Sequence, residues 1–144
     1  MDNLAGPASP GMTAQMETPP LLMDRLRKRA DFLRAARGIR RVTAGVTLEV
    51  CPTPPPWAKP DQLRLGFTAS RKIGMAVDRN RARRRLRAAA ALTLPLYALP
   101  GNDYVLVARR GTLGRPFEGL LADLEAALKA AHSRLGPAKL GDDS

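Results

Sequence analysis

From Arg41 to Val50 apolar and polar residues alternate, with Val42, Ala44, Val46, Leu48 and Val50 on one side and Arg41, Thr43, Gly45, Thr47 and Glu49 on the other. Successive side chains of a strand point to opposite faces, so this stretch predicts one half-buried strand. Leu63, Leu65, Phe67 and Ala69 alternate again and predict a second. The run Tyr104 to Ala108 is apolar throughout and predicts a strand buried at the centre of a sheet, ending at Arg109 and Arg110. Helical spacing governs the remaining segments. Leu26, Phe32 and Leu33 are interleaved with basic residues from Asp24 up to the stop signal Gly38, which predicts a short basic helix. Asn80 to Leu92, rich in Ala, Arg and Leu, predicts a second helix with Asp78 as its cap. Phe117, Leu120, Leu121, Leu124, Leu128 and Ala131 recur at helical spacing and predict a third, stopping before Gly136-Pro137.

Breakers separate these elements. Cys51 to Gln62 holds five prolines, which remove amide donors and exclude both helix and inner strand. Pro95, Pro100 and Gly101 interrupt Leu94 to Asn102. Residues 1–20 are rich in Pro, Gly, Ser, Thr and Met without a period, too little apolar surface to offset the entropy of ordering. The expected organisation is a disordered tail over residues 1–24, one domain over 25–135 and a flexible tail over 136–144. Helix, strands, helix, strand, helix is the order of an α+β fold with helices laid against one sheet.

Charge changes the picture more than size does. Lys and Arg number 24 against 13 acids, a formal net charge of +11 in 144 residues. The excess is localised: Arg25 to Arg87 carries 18 basic and 4 acidic residues, whereas Arg115 to the end carries 4 basic and 5 acidic. A segregated positive field points to a polyanion, foremost a nucleic acid. Cys51 is the only cysteine and His132 the only histidine, which rules out a disulfide or a Cys/His zinc site within the chain. No stretch approaches the ~20 apolar residues of a membrane span and the N-terminus lacks the pattern of a signal peptide, so a cytoplasmic, unexported protein with no membrane contact is expected.

The basic helix concentrates the charge. Arg79 to Arg87 holds six arginines in nine positions. At 100° per residue Asn80, Arg83, Arg84 and Arg87 share one face, Ala82, Leu86 and Ala89 lie roughly opposite, and Arg81 and Arg85 flank them. One side can bury while the others grip phosphate, for which the planar guanidinium offers paired donors. A merely solvated helix would gain nothing from crowding like charges.

The stretch Ala69-Ser70-Arg71-Lys72-Ile73-Gly74-Met75-Ala76-Val77-Asp78-Arg79-Asn80-Arg81-Ala82-Arg83-Arg84-Arg85-Leu86-Arg87 resembles the signature of the bacterial ribonuclease P protein family. Arg29-Ala30-Asp31-Phe32-Leu33 is similar to that family's first helix, Arg64-Leu65-Gly66-Phe67-Thr68 to the strand before the signature, and Tyr104-Val105-Leu106-Val107-Ala108-Arg109 to the strand after it. The resemblance spans roughly residues 25–132. It implies an α-β-β-β-α-β-α sandwich like domain 2 of ribosomal protein S5, with a left-handed βαβ crossover that composition alone would not suggest. It implies a subunit of an endoribonuclease that removes the 5′ leader of precursor tRNA. The catalytic centre would then lie in the partner RNA, with Mg2+ held by that RNA and the substrate, and no catalytic or metal-ligating residue in this chain. Catalytic RNA and precursor tRNA would be the partners, with no obligatory protein partner.

Carried over residue by residue, the resemblance assigns RNA contact to Arg71, Lys72, Arg79, Asn80, Arg81, Arg83, Arg84 and Arg87. Phe32 matches an aromatic position of the leader-binding cleft; from the residues alone it is equally well a core ring. The family often has a second aromatic one turn later, where this chain has Ala36. It also departs in having Arg71 and Arg83 where lysine is common, and in its proline-rich insertion, where Trp57 is read as a loop anchor before an RNA contact. Neither His132 nor Cys51 has catalytic company in sequence. Other readings of the charge are a ribosomal or RNA-chaperone protein and a self-sufficient nuclease. The latter needs clustered carboxylates or a His base, whereas acids such as Asp31, Asp61, Asp78 and Asp103 are scattered. A helix-turn-helix DNA binder is disfavoured because a strand follows the arginine helix.

Overall fold

The computed structural model describes residues 22–140. The expected tail over residues 1–24 falls outside this range up to residue 21, but its last part does not. Leu22–Arg25 forms strand β1, pairing in parallel with Gln62–Thr68, strand β4, in the register Met23 to Leu63 and Arg25 to Leu65. The first helix therefore begins at Arg29, not Asp24: α1 is Arg29–Ala36. Asp24 and Arg25 are extended because the edge of β4, remote in sequence, supplies hydrogen-bond partners that no local pattern reveals.

The single strand expected over Arg41 to Val50 is two, β2 (Ile39–Val42) and β3 (Val46–Pro52), folded into a hairpin. Thr43 closes it, its amide and hydroxyl both donating to the Val46 carbonyl at 2.9 and 2.7 Å. Nor is β3 half-buried: Val46 to Cys51 are buried on both faces, Thr47 and Glu49 included. Alternation measures polarity and cannot register a second covered face. The loop expected over Cys51 to Gln62 is shorter: Cys51 and Pro52 close the inner strand β3, paired with Asp103 and Asn102, and Gln62 opens β4, while the loop between them is pinned where the Thr53 amide donates to the Gly101 carbonyl at 2.9 Å.

Strand β4 leads through a 3-10 turn, Arg71–Ile73, into α2 (Ala76–Tyr97), and then β5 (Asn102–Ala108) runs parallel beside β4. The sheet order is β1-β4-β5-β3-β2, with β5 in the middle as its apolar run predicts. A short α3 (Arg110–Gly114) precedes α4 (Phe117–Leu140). Both long helices outrun their predicted ends. Pro95 lies inside α2, where Thr93 and Leu94 are buried; their packing holds the last turn although proline removes one backbone bond. α4 continues through Gly136-Pro137 to Leu140, so the expected flexible tail begins in helix; a proline so near the terminus removes one of few remaining rungs.

One face of the sheet holds the main core. Val46, Leu48, Val50, Leu63, Tyr104 and Leu106 meet Ala82, Leu86 and Leu94 of α2 and Leu120, Leu124 and Leu128 of α4. Burying a Leu or Val side chain contributes about 1.5–3 kcal/mol, so a core built chiefly of Leu, Val and Ala around the buried Tyr104 ring is enough to order the sheet. Among the described residues the other face receives only α1, over a small cluster of Leu26, Ala35, Cys51 and Val105.

Candidate nucleic-acid interface

The basic surface starts where β4 leaves the sheet. Ser70 Oγ accepts the Lys72 amide at 3.3 Å in the 3-10 turn, and Arg71 and Lys72 project into solvent. Gly74 then takes φ +146°, a conformation that favours glycine. A Cβ there would also strike the Asp78 carboxylate, whose Oδ2 accepts the Met75 amide at 3.2 Å. Asp78 is thus not the cap itself, as the sequence suggested. It is the third residue of a helix that starts at Ala76, where a negative charge complements the helix dipole.

Burial of Ala82, Leu86 and Ala89 fixes the rotation of α2 and leaves Asn80, Arg84 and Arg87 exposed, as the spacing predicts; the flanking Arg81 is exposed with them, whereas Arg83, expected on the same face, is half-buried. The arginines are not equivalent. Arg79 is half-buried and donates from Nη1 to the Gly74 carbonyl at 3.0 Å, bracing the turn. Arg83 donates from Nη1 to Asn80 Oδ1 at 2.8 Å. Arg85 turns away and donates to the Arg115 carbonyl, tying α2 to the segment before α4. The Arg87 guanidinium stands 5.4 Å from the centre of the Phe67 ring. Among the described residues neither Arg81 nor Arg84 meets a carboxylate, so their charge is available to an external anion.

A second site lies on the opposite face of the sheet. The register aligns Arg64, Gly66 and Thr68 of β4 with Asp103, Val105 and Val107 of β5, and these with Cys51, Glu49 and Thr47 of β3. α1 closes one end of this face. Its Phe32 is half-buried, packed with Val107 against the small cluster and lying directly over Gly66. A Cβ on Gly66 would come within 2.6 and 2.8 Å of the Phe32 ring, so only glycine permits this approach. Phe32 is therefore a packed ring that keeps an open side. Beyond it Arg109, exposed at the end of β5, donates to Thr47 Oγ1 at 3.4 Å.

The joint between α1 and the sheet is ionic. Arg64 donates from Nε and Nη2 to the two oxygens of Asp103 at 2.8 and 2.7 Å and from Nη2 to Asp31 at 3.2 Å. Arg34 reaches Asp31 at 2.8 Å, and Thr53 donates to Asp103 at 2.8 Å. Burial would raise the Asp31 carboxyl, but Arg34 and Arg64 outweigh it and hold the group below its usual range. The acids expected to be scattered are in part gathered here, around an arginine rather than a metal. Among the described residues no group of three or more His, Cys, Asp or Glu comes together to hold an ion.

A family model described as Ribonuclease P matches residues 23–132. This chain belongs to the ribonuclease P protein family. The ribonuclease P protein component of Paramagnetospirillum magneticum is 52% identical over 108 residues, covering 74% of this chain and 81% of that one. That of Ruegeria pomeroyi is 51% identical, covering 75% and 86%. Among solved structures, the Staphylococcus aureus RNase P protein matches with a TM-score of 0.60 at 27% identity, covering 74% of this chain and 94% of that one. The RNase P protein of Thermotoga maritima shares the fold, with a TM-score of 0.60 at 24% identity, covering 74% and 96%.

Within this ribonuclease P family chain the assigned residues fall into two places. Arg71, Lys72, Asn80, Arg81, Arg84 and Arg87 are exposed along the turn and α2, with Arg79 and Arg83 half-buried among them, whereas Phe32 is across the sheet. Trp57 is 50% exposed, with the Lys28 ammonium 5.4 Å from its ring, an arrangement that anchors the insertion to the start of α1. Cys51 is buried and its thiol is pushed up to about 11 by burial and by Asp103, leaving it unreactive. His132 meets the Tyr104 hydroxyl at 2.8 Å inside the fold. The sequence reading missed the Asp31, Arg64, Asp103 joint. Its one sequence signal was a charged residue in each of two apolar strands, which carries weight only once the register pairs Arg64 with Asp103.

Proposed function

We propose that this chain, the protein subunit of a ribonuclease P, binds the catalytic RNA through Arg71, Lys72, Arg79, Asn80, Arg81, Arg83, Arg84 and Arg87 and steadies the 5′ leader of precursor tRNA in the cleft beside Phe32. The observation that carries the first half is the rotation of α2, which directs Asn80, Arg81, Arg84 and Arg87 outward while its alanines and Leu86 are buried. Clustered guanidinium groups neutralise phosphates that the folded RNA brings close together. The second half rests on the open side of Phe32, on which an unpaired base would stack with about 1–3 kcal/mol. With Ala36 in place of a second aromatic, Phe32 carries that stacking alone on α1.

In this reading the chain works in the cytoplasm as part of a ribonucleoprotein and cleaves nothing itself. Mg2+, held by the RNA and the substrate, would supply the activated water. The chain's own residues bind and orient. The parallel neighbours β4 and β5 joined by α2 suit the left-handed crossover and the likeness to ribosomal protein S5 domain 2 that the family resemblance implies.

Single-turnover cleavage of a precursor tRNA by the cognate catalytic RNA at low magnesium tests this, with the protein, without it, and with protein alone. Stimulation only where RNA and protein are both present is expected. Binding without stimulation would favour a general RNA-binding protein, and cleavage by protein alone would overturn the division of labour.

A further inference from the structure

Between α2 and the edge strand β1 runs a groove of about 560 Å³ that the family assignment leaves without a role. Leu65 and Phe67 of β4, Met23 of β1 and Ala90 and Ala91 of α2 line it with apolar surface, and Arg25 and Arg87, both exposed, add its charge. Its size falls within the range of small-ligand sites. Arg87 belongs equally to the basic surface, and its guanidinium is parked over the Phe67 ring, 5.4 Å from the centroid, so the charged helix and the apolar groove are continuous. Ala90 and Ala91 lie three and four residues after Arg87, on the side of α2 that lines the groove.

We propose that this groove receives one unpaired nucleobase of the bound RNA, its flanking phosphates held by Arg25 and Arg87. The inference rests on the RNA-binding reading above and adds a base contact to a surface otherwise suited to phosphates. Charge complementarity selects the occupant: among the described residues the groove's lining is apolar with arginines and no carboxylate, which matches a planar base carried on a polyanion. Phe67 offers a ring, and Arg87 can move from it to sandwich the base or engage phosphate.

The test is Ala91→Trp in the full chain, which fills the groove from an exposed position and removes no arginine, with Ala130→Trp on exposed α4 surface as the control and thermal unfolding as the check of folding. Binding to the cognate catalytic RNA is measured across a salt series, and base accessibility in the complex is mapped with dimethyl sulfate. Ala91→Trp should weaken binding about tenfold, within the range of one base stack removed, with an unchanged salt slope and with renewed reactivity at one base that the wild-type chain protects. Arg25→Ser, a second variant that leaves the apolar lining intact, should also weaken binding but should lower the slope. Wild-type affinity in Ala91→Trp, or no base protected in the wild-type complex and released in the variant, would overturn the proposal and leave the groove to a protein segment. If the wild-type chain itself fails to bind the RNA in a salt-dependent way, the RNA-binding reading falls, an outcome separable from failure of the groove alone.

Discussion

The Asp103 side chain has no exposed surface, yet both of its oxygens have partners, in Arg64 and Thr53. Removing one partner of such a buried pair leaves the other uncompensated, at a cost of about 3–5 kcal/mol. Asp103→Ala is therefore expected to destabilise the fold by that amount in urea unfolding, and also to loosen α1, which Asp31 fastens to the same Arg64. His132 offers a pH test. Burial lowers its pKa below 6.5, so the unfolded chain takes up a proton there before the folded one does. Its contribution is present above pH 6.5 and is lost as pH falls toward the folded value. Glu49, raised by burial despite Arg40, titrates with the opposite sign, so the comparison with a variant isolates the histidine. The melting temperature of the wild type should fall relative to that of His132→Gln between about pH 7 and 5; parallel curves would refute the assignment.

At the scale of elements, helix α2 reconciles three demands: a buried alanine and leucine stripe, an arginine surface, and a proline in its last turn. The proline is the costly one, since an interior proline disfavours helix by about 3 kcal/mol. Pro95 is exposed, so replacing it removes no core packing. Pro95→Ala should raise the unfolding free energy by about 1–3 kcal/mol without altering RNA binding, as read by chemical denaturation and a binding titration. The extent of α2 was only partly legible for this reason: propensity located its middle, while buried Thr93 and Leu94 decided where it ended. β1 was not legible at all, because its charged residues are held by pairing with β4 rather than by any periodicity of their own.

For the whole molecule, the formal charge of +11 predicts association that weakens steeply with salt. Removing one arginine from a phosphate should lower the slope of log affinity against log salt by about 1. Arg81 and Arg84 are the residues to reverse, since both are exposed, whereas Glu at Arg79 would also disturb the turn at Gly74. The Arg81→Glu, Arg84→Glu double variant should show a slope lower by about 2 or more and should fail to assemble at physiological salt, while its melting temperature stays within a few degrees of the wild type. Unchanged affinity would remove α2 from the interface.

By itself the sequence determined the α+β class, the central position of β5, the loop character of the insertion and the facing of the arginines on α2. Each of these follows from local periodicity, breakers or propensity, which act over a few residues. The signature around Arg79-Asn80-Arg81 also pointed to the family. Tertiary structure alone decided that Arg41 to Val50 is a hairpin, that Thr47 and Glu49 are covered, that Asp31 and Asp103 converge on Arg64, and that Phe32 closes over Gly66. Those outcomes depend on contacts between residues tens of positions apart, set by strand register and by which face a helix covers. Nothing in a local pattern encodes that information.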